Sequence, residues 1–303
     1  MKPIRSTRKI KIVAPLTALL IVVVLVTSCS TSSKNSSNPG NSRPVIVTSF
    51  YPLEFVATSI TGKNFEVINL IPAGGEPHDF ELTPKLSGTL LKADLALVLG
   101  GDFQPAIEKT ASSRDRDTLV LMDEIDPNSR DPHIWLDPLL MKKVVEQFTL
   151  KVKQIDPKNK GTYDLNKEEL LTKLDALNQS FETKLRTCEI RTFVTSHDAF
   201  SRLADRYDLV QESISGISPE AEPTPNRIEE LKDIVKDKKI EVIFTEEQVS
   251  KKVAETLSRE ANVSTQVLSP IEYLPEVQTA EFQDYLTVMK SNLEKLSKAL
   301  RCS

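Results

Sequence analysis

No glycine or proline interrupts the chain between Thr162 and Thr187, and Leu170, Leu174, Leu177, Phe181 and Leu185 recur there at three- and four-residue steps. That recurrence lines one face of a helix. It predicts a helix over residues 163–187, about 37 Å long at roughly 1.5 Å per residue. A rod of that length runs the length of a domain and is able to connect two lobes.

The segments on either side share a pattern. Before it, short apolar runs at 45–48, 65–70, 95–99 and 119–122 read as strands, and 53–61, 84–92, 105–110 and 139–155 as helices. After it, 192–195, 209–212, 241–245 and 265–268 read as strands, and 199–207, 226–236, 252–261 and a closing 282–300 as helices. Near-continuous apolar runs between helices predict parallel strands covered on both faces. The fold class is therefore α/β, with no visible sequence repeat between the halves.

The first 29 residues read as an export signal and stand outside the fold. Lys2, Arg5, Arg8, Lys9 and Lys11 precede an apolar stretch over 12–26 broken only by Pro15 and Thr17. That stretch is short of the roughly 20 residues a spanning helix needs. It ends in Val26-Thr27-Ser28-Cys29, which resembles a bacterial lipobox, so Cys29 is expected to carry a lipid and become the mature N-terminus. Residues 30–43, rich in Ser and Asn, predict a flexible tether. Location is thus expected to be extracytoplasmic and membrane-anchored, at a cell surface or in a periplasm. Cys188 and Cys302 remain, open to a disulfide or to two separate thiols.

A net charge of −4 without a basic stripe, and 6% aromatic residues, argue against nucleic acid as a partner. The chain has three histidines. His78 follows a strand, His133 sits in a Pro-flanked turn, and His197 ends a strand. Ligand sites of open α/β sheets lie beyond the carboxyl ends of strands, and acidic neighbours are available to fix each imidazole. Spacings above 50 residues match neither a zinc finger nor a helical zinc-protease motif. The three histidines are the candidate metal ligands.

Four segments carry a resemblance. Pro77-His78-Asp79-Phe80-Glu81, Asp131-Pro132-His133-Ile134-Trp135-Leu136-Asp137-Pro138, Ser196-His197-Asp198-Ala199-Phe200 and Gly216-Ile217-Ser218-Pro219-Glu220-Ala221-Glu222-Pro223 occur in that order. They resemble the zinc- and manganese-binding receptors of bacterial ABC importers. The resemblance implies an N-terminal lobe over 44–160, a long rigid connecting helix over 161–188 and a C-terminal lobe over 189–303, each lobe a mostly parallel sheet flanked by helices. It implies a monomer with metal buried between the lobes, a permease and a cytoplasmic ATPase as partners, and His78, His133 and His197 as three ligands. The fourth position departs from the family: Ser269 stands where many members have Asp. That leaves water, Glu76, Glu246 or Glu272 as the fourth donor. The His-rich loop of zinc-type members is absent from 111–130. Three imidazoles favour Zn2+ as cargo over Mn2+, which prefers oxygen.

Two other functions bear on the same residues. Three histidines and a water also build catalytic zinc sites, with Glu246 or Glu247 as base; no nucleophile elbow or phosphate loop accompanies them, and an enzyme is not expected. A surface adhesin shares the anchor and tether but has no use for a buried triad.

Overall fold

The computed structural model describes residues 43–247, 250–273 and 283–303. The expected export signal, Cys29, the expected tether up to Ser42, and Phe282 at the head of the expected closing helix lie outside them. Residues 43–303 form one compact unit.

In its first half, β1 (Val45–Thr48), β2 (Glu66–Asn69), β3 (Leu95–Val98) and β4 (Asp117–Val120) form a parallel sheet in the order β2-β1-β3-β4. α1 (Tyr51–Thr61), α2 (Pro84–Lys92) and α3 (Pro105–Ser112) connect the strands. All four residues of β3 are buried, as a parallel strand under helices on both faces requires. Short α4 (Leu121–Ile125) follows β4. Leu121 and Met122 leave the expected strand because the ladder to β3 stops at Val98–Val120, after which the Met122 N–H bonds Leu99 O at 2.9 Å.

Next come α5 (Pro138–Ile155) and the long helix α6 (Lys160–Leu185). Its buried face, Tyr163, Leu170, Leu174, Leu177, Phe181 and Leu185, holds α6 against α1 and α5 of the first half and α10 (Tyr285–Ala299) of the second. The helix begins at Lys160 rather than Tyr163. A 3-10 turn over Pro157–Asn159 feeds straight into it, and the Tyr163 hydroxyl donates to Asp156 Oδ2 at 2.6 Å, tying its first turn to the end of α5.

The second half repeats the first in topology. β5 (Thr192–Thr195), β6 (Val210–Ser213), β7 (Val242–Thr245) and β8 (Ser264–Val267) are parallel in the order β6-β5-β7-β8. α7 (Ser201–Arg206), α8 (Pro225–Asp237) and α9 (Lys252–Ala261) link them. In both sheets the chain goes first to one side of its opening strand and then returns to the other. The carboxyl ends of β1 and β3, and of β5 and β7, therefore flank a crevice, the usual ligand position in such sheets.

Of the two states open to the remaining cysteines, the structure has the disulfide. Cys188, just beyond α6, is bonded to Cys302 and pairs with it as an isolated antiparallel bridge, beside the Ile190 N–H on Leu300 O at 3.1 Å. The bond spans 114 residues. Cross-linking so long a loop restricts the unfolded chain and commonly contributes about 2–4 kcal/mol. Replacing both cysteines by Ser is expected to lower the melting temperature by roughly 5–15 °C. Calorimetry of parent and double variant measures this, and coincident melts would show that the bridge contributes nothing to stability.

Candidate metal centre

Each of the three histidines is aimed by its own local chemistry. His78 follows β2 on a loop whose chain direction reverses at Pro72–Gly75, where the Gly75 N–H bonds Pro72 O at 2.9 Å and Gly74 has φ 73°. A positive φ there suits glycine, which has no Cβ to clash. The Glu76 carboxylate then accepts the N–H groups of His78 (3.0 Å) and Asp79 (3.1 Å) and fixes the turn.

His133 precedes a 3-10 turn, Ile134–Leu136, and α5, whose N-terminus Asp137 caps through the Leu139 N–H at 2.8 Å. Asp131 Oδ1 accepts both the His133 N–H (3.0 Å) and its Nδ1–H (2.7 Å). His197 follows β5 directly. Glu246, at the end of β7, accepts its N–H (3.2 Å) and its Nδ1–H (2.7 Å). That pair spans the crevice where the second sheet changes direction. A carboxylate only accepts, so in both histidines Nδ1 carries a hydrogen, which makes Nε2 the nitrogen that a proton or a metal ion takes.

The three Nε2 atoms meet at Glu272. Its Oε1 lies 3.4 Å from His78 Nε2, 3.6 Å from His133 Nε2 and 3.4 Å from His197 Nε2. Nε2 of His133 and of His197 are buried without a hydrogen-bond partner. The four donor atoms all lie within 4.8 Å of one another. These separations are long for hydrogen bonds. The three Glu272 distances suit a tetrahedral zinc, whose bonds of about 2.0–2.2 Å place neighbouring donors roughly 3.3–3.6 Å apart.

Glu272 reaches this point through a tightly held loop after β8. Asn292 of α10 accepts the Ser269 N–H (3.1 Å) and donates to Ser269 O (2.7 Å), Ser269 Oγ accepts the Ile271 N–H (3.3 Å), and Trp135 Nε1–H donates to Pro270 O (2.7 Å). Ile271 has φ 58°, a left-handed backbone that a β-branched side chain resists. The surrounding bonds keep it there and turn the next residue inward. Ser269 thus spends its hydroxyl on the loop. Of the other candidate carboxylates, Glu76 holds backbone and Glu246 holds an imidazole, while Glu247 lies with its carboxylate 3.4 Å from the Tyr273 hydroxyl.

His133 and His197 are 0% exposed, Glu272 3% and His78 8%. His78 is the member that borders solvent, on a cleft of about 700 Å3 lined also by Phe103, Pro132 and Ile217. Burial alone would depress both inner imidazoles. The facing carboxylates win: Asp131 and Glu272 raise His133 above its ordinary range, and Glu246 and Glu272 push His197 up to about 10. Burial by itself would raise Glu272, but the three imidazoles hold it well below the usual carboxylate range. Asp131, Glu246 and Glu272 together call for positive charge, which protons or a cation supply.

A family described as zinc-uptake complex component A, periplasmic, matches residues 46–299. The high-affinity zinc uptake system protein ZnuA of Bacillus subtilis (strain 168) is 33% identical over 301 residues, covering 91% of this chain and 94% of that protein. The zinc-binding lipoprotein AdcA of Streptococcus pneumoniae is 34% identical over 275 residues, 84% of this chain but 55% of AdcA, so the chain spans about half of that relative. Among solved structures, the Zn(II)-bound ZnuA-like domain of S. pneumoniae AdcA superposes with a TM-score of 0.74 at 34% identity, covering 85% of this chain and 99% of that one. Laminin-binding protein Lmb of Streptococcus agalactiae, described as bifunctional with adhesin and metal-transporting activity, gives 0.77 at 28% identity over 85% of this chain and 99% of that one.

Metal and protons compete for the same lone pairs. Histidines left at their ordinary pKa would lose that competition for protons near pH 6.5, and metal affinity would level off above it. Here the raised imidazoles keep protons to higher pH, so apparent zinc affinity is expected to keep climbing, about tenfold or more per unit between pH 6.5 and 8. Competition against a chelator of known pH dependence measures this. A plateau above pH 6.5 would show that the carboxylates do not govern the site.

Proposed function

The chain belongs to the zinc-uptake complex component A family, and on that premise we propose that it is an extracytoplasmic receptor that captures Zn2+ between its two halves and delivers it to the permease of an ABC importer, whose cytoplasmic ATPase drives uptake. His78, His133, His197 and Glu272 are the ligands in this reading. The observation that carries it is the convergence of four buried donors within 4.8 Å of one another, with Glu272 at 3.4–3.6 Å from each imidazole. Three nitrogens and one oxygen suit borderline zinc better than manganese, which prefers oxygen-rich sites.

A hydrolase reading uses the same histidines and needs an open fourth position for water. Glu272 stands at that position, which supports a carrier. Adhesion is described for Lmb together with metal transport, so the two are compatible on one chain. The receptor is held to the membrane through lipid on Cys29, with residues 30–43 as tether. Among the described residues no helix is long and apolar enough to cross a membrane.

Replacing His78, His133 or His197 by Ala is expected to weaken zinc binding by at least about 10-fold, or 1.4 kcal/mol, and Glu272→Ala to do the same. Isothermal titration under chelator competition reads each loss. Parent-like binding by all three histidine variants would dismiss the site, and parent-like binding by Glu272→Ala would return the fourth position to water. For the anchor, Cys29→Ala is expected to abolish incorporation of labelled fatty acid; equal labelling of parent and variant would rule out lipidation there.

A further inference from the structure

We propose that Arg202 is a positioning residue for metal capture, latching the loop that carries His133 to the helix that follows His197. The inference rests on the reading of those histidines as ligands.

α7 begins four residues beyond His197. From its second position the Arg202 guanidinium crosses to the first half of the molecule. Its Nη1 donates to Asp126 Oδ2 at 2.9 Å, its Nε donates to Asp131 O at 3.0 Å, and its Nη2 donates to the same carbonyl. The Nε also lies 3.3 Å from Asp131 Oδ2. The other oxygen of that carboxylate receives Nδ1–H of His133. Asp131 is thus held between an imidazole from its own half and a guanidinium from the other. Five donors in a rigid fork allow one Arg to grip carboxylate, carbonyl and a second carboxylate at once; a lysine offers a single point charge.

One turn along α7, Arg206 makes an internal comparison. Its Nε and Nη2 donate to Asp137 Oδ2 at 2.9 and 2.7 Å, again across the two halves. Asp137 caps α5 and makes no bond to an imidazole. Both arginines fasten the halves, but Arg202 alone of the pair reaches a histidine through its aspartate. The partner that fixes a ligand imidazole sets its orientation and basicity. When the halves part at α7, Asp131 loses its far anchor and His133 its fixed aim. The Arg202–Asp131 contact and metal affinity therefore strengthen each other, as linkage requires.

The test measures zinc dissociation constants of the full mature chain by chelator competition, with metal-free melting temperatures alongside. Arg202→Ala is expected to weaken zinc binding about 10-fold or more, and Arg202→Lys to recover part of that loss. Arg206→Ala is expected to lower the melting temperature while keeping affinity within about threefold. In an Asp131→Ala background, Arg202→Ala is expected to cost less than in the parent, since part of its effect runs through that carboxylate. Equal affinity losses for the two arginine variants, full additivity with Asp131→Ala, or an unchanged Arg202→Ala would each overturn the proposal while leaving the ligand set intact. If Arg202→Ala does not fold, Arg202→Lys is read by the same cycle. A parent that binds no zinc overturns the ligand set and this inference with it.

Discussion

Burying a carboxylate among apolar side chains costs several kcal/mol unless something positive answers it. Glu272 is buried, and the side chains that meet it are three imidazoles whose free nitrogens all point its way. Asp131 and Glu246 stand behind two of those rings and add charge of the same sign. Arg202 answers part of the charge on Asp131, and a small cation is the answer that suits Glu272 and the three imidazoles together. The positions of Asp131, Glu246, Ser269 and Asn292 all follow from keeping that demand aimed at one point.

The fold meets the demand by bringing strand ends together. His197 and Glu246 leave adjacent strands β5 and β7 at the crevice of the second sheet. His78 leaves β2 and Glu272 follows β8. Trp135, beside His133 with ring centroids 5.0 Å apart, donates to the carbonyl of Pro270 and accepts the Tyr285 hydroxyl at 2.5 Å on its own carbonyl. The first half thereby grips the loop that carries Glu272. α6 supplies the common wall against which α1, α5 and α10 pack.

Much of this was legible in the residues. Apolar runs separated by helical spacing marked eight strands, and those strands are parallel. Three histidines at strand ends and a Pro-flanked turn marked the centre. The choice among Glu76, Glu246 and Glu272 was not legible, because all three follow strands and nothing local separates them; a left-handed backbone at Ile271 does, and an isoleucine gives no hint of it. The acidic partners were legible only where the contact is local. Asp131 lies two residues from His133, but the partner of His197 is Glu246 rather than neighbouring Asp198, whose carboxylate accepts from the Ser201 hydroxyl instead. Arg202 carried no signal at all, since its meaning depends on a loop about seventy residues earlier in the chain.

The repeated strand order has a consequence for how cargo is sensed. Each half brings two side chains to the candidate centre, His78 and His133 from one and His197 and Glu272 from the other. Neither half holds all four donors, so a complete set exists only at their seam. On the proposed reading, an ion at that seam would act as a rivet between the two halves, and a membrane partner touching both would meet them joined in the full receptor and unjoined in the empty one.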